Sequence, residues 1–279
     1  MPPVDLVVTD LDGTLWHTDD RLPDTVLRAV GELEARGVPL LVATGRRLTS
    51  TRDPLARFGL APPAVMLNGA VGVDLATSTR FHLAPYPVEE ALAAYDAFTS
   101  VGLSPVVYVD HDRYDVFLGA DPDTNPGHVQ ALGDTAGRRW GKEGRRAVDD
   151  LREAVATTPV LGYSMIGVPF PAAEAAFDAL QGVGEVHLDR SIDYPGLAAL
   201  TAAPRDQSKW DGVLAFCRLH DLDPDRVLAV ADGPNDLELL THAKVRVVPK
   251  VAHPDALALA THVIPAAQDG GWAEVPSLL

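Results

Sequence analysis

The sequence predicts an α/β fold, a mainly parallel sheet with helices on both faces, joined to a second α+β unit. Three observations carry this prediction. Short apolar runs alternate with stretches of helical spacing at both ends of the chain. Three of those runs stop at an acidic or hydroxyl-bearing loop, where open α/β sheets keep their ligand sites. Between the two halves, from about residue 81 to 199, lies a long stretch in which strand-like and helical patterns mix. A single continuous large sheet is the alternative to two units at this level.

Val4–Val8 is read as the first buried strand, closed by Asp10-Leu11-Asp12-Gly13-Thr14. Residues two apart on an extended chain point to the same side, so Asp10 and Asp12 can converge on one atom. Gly13 permits the sharp exit that turns backbone N–H groups toward an anion. Such a pair binds a metal, attacks phosphorus, or serves as acid and base. An ordinary acidic turn has the same letters. Pro23 to Arg36 carries Val26, Leu27, Val30 and Leu33 at helical spacing, with Gly37 just past its end. Val38–Ala43 is a second strand, ending at Thr44-Gly45-Arg46. Leu48–Phe58 reads as a helix and Ala64–Leu67 as a strand, and Asn68-Gly69 closes a hairpin onto Val71–Val73.

In the middle stretch, helices are expected at Val88–Phe98 and Ala172–Leu180. Strands are expected at Val106–Val109, Val116–Leu118, Val160–Ile166 and Val183–Leu188. Beyond it, Lys209–His220 is a helix and Val227–Ala231 a third apolar strand, entering Asp232-Gly233-Pro234-Asn235-Asp236. A helix over Asn235–Thr241, a strand over Val245–Val248 and weaker patterns to the C-terminus complete the chain.

Composition narrows the function. Hydrophobic residues make up 47% of the 279, enough for a full core. No run approaches the roughly 20 apolar residues of a membrane span, and Val4–Val8 is too short for a signal peptide, so a cytoplasmic location is expected. The single cysteine, Cys217, sits in an apolar helical stretch and reads as core. A net charge of −16, from 39 acidic and 23 basic residues, disfavours nucleic acid as a partner. It would also repel a phosphate dianion, so local cations must dominate at any phosphate site. No Walker-type loop, Gly-x-Gly-x-x-Gly or zinc-ligand spacing is present.

Four segments, in order, resemble the motifs of the haloacid dehalogenase superfamily of phosphohydrolases, most closely its Cof-like sugar-phosphatase branch. They are Asp10–Thr14, Val38–Arg46, Ser208-Lys209 and Val227–Asp236, and Asn68-Gly69-Ala70 matches the Asn-Gly-Ala turn of Cof-like proteins. The resemblance covers residues 1–80 and 200–279 and implies a Rossmann-like core in two parts, with 81–199 inserted as an α+β cap. It implies an Mg²⁺-dependent phosphatase acting on a small phosphorylated metabolite, with sugar phosphates the leading class. Asp10 would be the nucleophile, forming an aspartyl-phosphate, and Asp12 the general acid and base. A proton on Asp12 at neutral pH would require a raised pKa, for which burial and the Asp10 charge are suitable causes.

The same resemblance assigns Mg²⁺ to Asp10, the Asp12 backbone carbonyl and Asp232, with Asp236 as a further ligand or support. Thr44 and Gly45 would meet the phosphate, and Lys209 would hold it together with Asp10. Asn235 would reach substrate or brace its loop, and Arg46 would touch the phosphate or leaving group, unless Arg46-Arg47 is a solvated helix start. The alternatives are a phosphotransferase or mutase, and a non-catalytic module that binds a phosphorylated ligand. Two departures from the pattern stand out: Ala231 replaces a usual glycine, and Pro249–Pro254 replaces an Asn-Ala stretch. Specificity is expected in the cap, where Arg138–Arg146 with Trp140, and Tyr108, Asp110, His111, Arg113 and Tyr114, are the most polar segments.

Overall fold

A computed structural model describes residues 4–17, 21–111, 113–119, 144–191, 194–205 and 207–279. The chain divides into two compact units, one of Met1–Arg46, Thr51–Leu83 and Ser208–Leu279, the other of Arg47–Ser50 and Ala84–Gln207. Among the described residues, no helix is long and apolar enough to cross a membrane.

The first unit is built on an eight-stranded sheet. Its strands are β1 (Leu6–Thr9), β2 (Leu40–Ala43), β3 (Pro63–Met66), β4 (Val71–Asp74), β5 (Thr79–Leu83) and, after the second unit, β12 (Val227–Val230), β13 (Val245–Pro249) and β14 (His262–Ile264). The order is β14-β13-β12-β1-β2-β3-β4-β5, parallel from β14 through β3 and antiparallel beyond. All residues of β1 and β12 are buried. That is why these strands read as apolar runs, broken only by Thr9 at the end of β1, since a strand covered on both faces has no polar alternation. Each fully buried valine or leucine contributes roughly 1.5–3 kcal/mol relative to exposure.

The helices of this unit include α1 (Asp24–Ala35), α2 (Leu48–Arg57) from Thr51 onward, α6 (Lys209–Leu219), α7 (Leu237–His242) and α8 (Pro254–Leu259). Trp210, Val213, Phe216 and Cys217 of α6 pack with Leu6, Val8, Leu41 and Val65 of the sheet, so Cys217 is core. The hairpin over β3 and β4 forms, but Leu67–Gly69 is a short 3₁₀ turn rather than a two-residue loop. The expected Asn235 helix is likewise split into a 3₁₀ turn over Pro234–Asp236 and α7.

The second unit holds a six-stranded sheet of β6 (Val106–Val109), β7 (Val116–Gly119), β8 (Arg145–Val148), β9 (Val160–Val168), β10 (Glu185–Arg190) and β11 (Ala198–Ala203). Its order is β10-β11-β9-β6-β7-β8, antiparallel except for β7 with β8. Helices α3 (Val88–Ser100), α4 (Leu151–Thr157) and α5 (Phe170–Ala179) complete it, and Phe98, Tyr163, Met165 and Leu180 lie in its core. The Tyr163 hydroxyl donates to the Ala91 carbonyl at 2.6 Å, which satisfies the one polar atom of a buried ring.

Strands β5, β8 and β11 and helix α4 were not expected from the sequence. β11 reads Ala-Ala-Leu-Thr-Ala-Ala, with almost none of the β-branched content that marks a strand. Helix α4 is short, and its visible signal is the cap Asp150, which accepts from Glu153 N at 2.8 Å. Of the polar segment Arg138–Arg146, residues 138–143 lie outside the described residues, Trp140 among them.

Candidate active site

Parallel strands β1, β2 and β12 are neighbours, so the loops at their carboxyl ends meet. Asp10 leaves β1 with its N–H donating to the Val230 carbonyl of β12 at 2.9 Å. Lys209 opens α6 behind Ser208, whose N–H and hydroxyl both donate to Asp211 Oδ2 at 2.9 Å. A cation at a helix N-terminus is disfavoured by the helix dipole, so its placement needs another cause. That cause is visible: Lys209 Nζ donates to Asp10 Oδ1 at 2.7 Å and to Asp236 Oδ1 at 2.6 Å, with only 1% of the side chain exposed. Burial works against the ammonium, but Asp10 and Asp236 more than offset it and raise the Lys209 pKa.

The carboxylates are crowded. Asp10, Asp232 and Asp236 each offer an oxygen within 4.8 Å of the others. Burial raises the Asp10 pKa, opposed by Lys209 and reinforced by Asp236 and Asp232. Burial also raises Asp232, to about 6, against the Thr14 hydroxyl, which donates to Asp232 Oδ1 at 2.7 Å. Asp236 Oδ2 accepts from Gly233 N at 2.9 Å, so this side chain both holds Lys209 and closes its own loop. Gly13 adopts φ +79°, and a Cβ there would lie 2.4 Å from Asp232 Oδ2. Only glycine lets β1's exit loop approach Asp232 so closely.

Asp12 is turned to different partners. Its Oδ2 accepts from Arg46 Nε at 2.6 Å and its Oδ1 from Arg46 Nη2 at 2.5 Å, a bidentate pair. Trp16 Nε1 reaches Asp12 Oδ1 at 3.3 Å, and the Arg46 guanidinium lies 5.2 Å over the Trp16 ring. The burial expected around Asp12 falls on Asp10 instead: the Asp12 side chain is 40% exposed, and Asp10 is 7% exposed. Arg46 is not a solvated helix start. Arg47, in the second unit, is also buried, bonded to Asp115 and to the Thr49 hydroxyl.

The loop after β2 is held by the β3–β4 turn. Thr44 N donates to Val65 O, Leu67 N to Arg46 O at 3.0 Å and Asn68 N to Thr44 O at 3.2 Å. Leu67 and Asn68 are both left-handed, at φ 52° and 55°, a conformation that costs a non-glycine residue roughly 1–2 kcal/mol. Asn68 Oδ1 accepts from Asn235 Nδ2 at 2.9 Å, and it would stand 3.1 Å from a Cβ placed on Gly45. Thr44, buried, accepts at Oγ1 from Arg46 N at 3.2 Å. The sequence predicts Asn68 as a turn residue, and a contact with Asn235, 167 positions on, has no local signature.

Both departures from the pattern are accommodated. Ala231 is fully buried and its N–H donates to Val247 O, and His253 N, within the altered stretch, donates to the Asp232 carbonyl at 2.9 Å. The site as a whole holds four carboxylates, Asp10, Asp12, Asp232 and Asp236, against Lys209 and Arg46. With all four ionised, two net negative charges and hard oxygen donors fit a divalent cation.

A family model for haloacid dehalogenase-like hydrolases matches residues 7–117 and 188–275. The chain belongs to that family. This hydrolase is 26% identical over 268 residues to a phosphoglycolate phosphatase of Methanopyrus kandleri, covering 96% of this chain and 94% of that one. A 105-residue segment is 27% identical to the pyridoxal phosphate phosphatase YbhA of Escherichia coli, 38% of this chain and 39% of the relative. Among solved structures, TM0651 from Thermotoga maritima superposes with a TM-score of 0.78 at 19% identity, over 99% of this hydrolase and 97% of its own chain. BT4131, described as a subclass IIB sugar phosphatase, gives 0.72 at 18% identity over 98% of both chains. At these identities the structural likenesses speak for the fold.

Proposed function

We propose that this hydrolase is an Mg²⁺-dependent phosphatase that cleaves small phosphomonoesters through a phosphorylated Asp10. The observation that carries the reading is the buried Lys209 ammonium shared between Asp10 and Asp236, beside a third carboxylate, Asp232. Such a cluster is too acidic to receive a phosphate unaided, and it has the donors to hold a cation that would change that. Asp10, the Asp12 backbone carbonyl and Asp232 would bind Mg²⁺, with Asp236 fixing Lys209 and the loop. The ion, when bound, would neutralise charge on the phosphoryl oxygens.

The protein's own part is positioning, as phosphoryl transfer demands. One Asp10 oxygen attacks phosphorus while the ester oxygen departs with a proton from Asp12. Water then attacks the phosphorus of the aspartyl-phosphate, giving a proton to Asp12; the bond from phosphorus to the Asp10 oxygen breaks, the Asp10 carboxylate is regenerated and inorganic phosphate is released. Both Asp12 oxygens accept from Arg46 in the resting site, so one of these bonds must open for Asp12 to carry the proton it gives, while the other and Trp16 keep the carboxyl aimed. Thr44 and the Gly45 backbone receive a phosphate oxygen, and Asn235, tied to Asn68, borders the substrate. The second unit acts as the cap that selects the leaving group.

For substrate class, the longest sequence match is named for phosphoglycolate and a structural neighbour for sugar phosphates. We favour sugar phosphates and set phosphoglycolate and pyridoxal phosphate beside them in one panel. Phosphate release is measured with Mg²⁺ and with chelator, for the native protein and Asp10→Asn. Metal-dependent release lost in the variant supports the mechanism. A folded native protein that releases phosphate from none of these esters refutes it.

A further inference from the structure

We infer that Trp272 and Thr9 are positioning residues for Asp10, so that the C-terminal segment is part of the active-site apparatus. The inference rests on the reading of Asp10 as nucleophile and metal ligand. Trp272 Nε1 donates to Thr9 Oγ1 at 2.9 Å, and Thr9 Oγ1 donates to the Asp10 carbonyl at 2.8 Å. The direction of this relay is fixed by chemistry. An indole N–H can only donate, so the hydroxyl accepts from it and its own proton goes to Asp10. The Asp10 N–H is bonded to Val230 O, so both backbone polar groups of the residue are tied down. Trp272 and Thr9 are each fully buried.

Packing alone does not account for these two residues. Thr9 ends an otherwise apolar strand, and valine has the same shape and the same backbone hydrogen bonds. The hydroxyl adds only the relay. Delivering the indole also demands unusual backbone. Gly270 is left-handed at φ 73°, and a Cβ on Gly271 would fall 1.9 Å from the Pro265 carbonyl oxygen. Past the turn, Nη1 of Arg36, the residue that follows α1, donates to Pro276 O at 2.6 Å and holds the segment in place. A phenylalanine would fill most of the same space without needing a partner at Thr9.

The test compares Thr9→Val, Thr9→Ser and Trp272→Phe in the full chain, reading kcat and KM on the best ester of the panel. It also reads the dissociation constant of Mn²⁺, used as a paramagnetic substitute for Mg²⁺. A backbone shift near 1 Å can cost about 100-fold in rate, so a partial release of Asp10 should cost roughly tenfold in kcat. We expect that loss in Thr9→Val and Trp272→Phe at unchanged KM, no further loss when they are combined, and near-native kcat in Thr9→Ser. Unchanged kcat in Thr9→Val, or an equal loss in Thr9→Ser, overturns the inference. Should Trp272→Phe fail to fold, Thr9→Val carries the comparison alone. Should the native protein release no phosphate from any ester, the phosphatase reading falls and the Mn²⁺ constant decides. Weaker binding in Thr9→Val than in Thr9→Ser upholds the positioning role, and equal constants or no binding overturn it.

Discussion

Lys209→Met is the most informative single perturbation of the site. The methionine keeps much of the side chain's length and removes the charge that Asp10 and Asp236 share. Removing one partner of a buried ion pair costs about 3–5 kcal/mol, because the charge left behind is uncompensated. Here two carboxylates are left behind at 1% exposure of the lysine, so the upper end, about 5 kcal/mol, applies. At about 2–4 °C per kcal/mol for a chain of this size, Tm should fall by roughly 10–20 °C at pH 8 without metal. The deficit should depend on pH in a fixed direction. Asp10 and Asp232 have folded-state pKa values above the ordinary 3.8, so their ionisation destabilises the fold. That penalty is full above the raised pKa values and shrinks as pH falls toward 3.8, where the folded state keeps the protons it prefers. Without Lys209 the carboxyls hold protons still more readily, so the deficit at pH 5 should be less than at pH 8. Calorimetric or circular-dichroism melts at the two pH values measure it. A deficit under about 3 °C at pH 8, or one that grows on acidification, would refute the electrostatic account of this cluster.

Four further outcomes are expected. Saturating Mg²⁺, worth about 2.7 kcal/mol at a hundred times its Kd, should raise the Tm of the native protein more at pH 8 than at pH 5, because burial pushes the Asp232 carboxyl up to about 6 and protons compete for the same oxygens; melts with and without metal read this. Gly13→Ala should destabilise by about 1–2 kcal/mol from its left-handed φ and weaken Mg²⁺ binding by displacing Asp232, which titration calorimetry would detect. Arg46→Lys keeps the charge but not the two-pronged grip on Asp12, and kcat should fall by roughly tenfold or more with a smaller change in Tm. Asn68→Gly relieves a left-handed residue while removing the acceptor for Asn235, so stability should hold within about 1 kcal/mol as KM rises in steady-state assays.

Much of this was legible in the chain because it rests on periodicity and local chemistry. β1, β2 and β12 are buried on both faces and therefore appear as apolar runs, interrupted only by Thr9 at the end of β1, each with its polar loop attached. The clustering of Asp10 with Asp232 and Asp236 follows from the β1 and β12 loops meeting at adjacent strand ends, and Lys209 joins them from the first turn of α6. What the sequence could not display is pairing between distant side chains. Arg46 binds Asp12 across 34 positions and Trp272 reaches Thr9 across 263, and neither spacing has a local signature. The roles of burial were also transposed. Both aspartates belong to one loop, and only the structure shows that Asp10 faces inward while Asp12 faces an arginine. In the second unit, β11 was missed because alanine-rich strands are recognisable by their neighbours, which the sequence does not name.

The pairing of β1 with β12 has a consequence for biosynthesis. Leu6 is in register with Val227, about 220 residues later, so the central strand leaves the ribosome long before its partner exists. Closing a loop of that length costs roughly 5 kcal/mol of chain entropy if everything between is unstructured. The intervening unit eases this when it folds first, since Glu90 near its start and Arg205 near its end lie 3.6 Å apart and bring the flanking chain together. A nascent chain stalled before residue 227 would thus expose a strand with one edge unmet, and so be prone to aggregation. Synthesis should be safest where the middle of the gene is translated slowly enough for that unit to close before the last strands emerge.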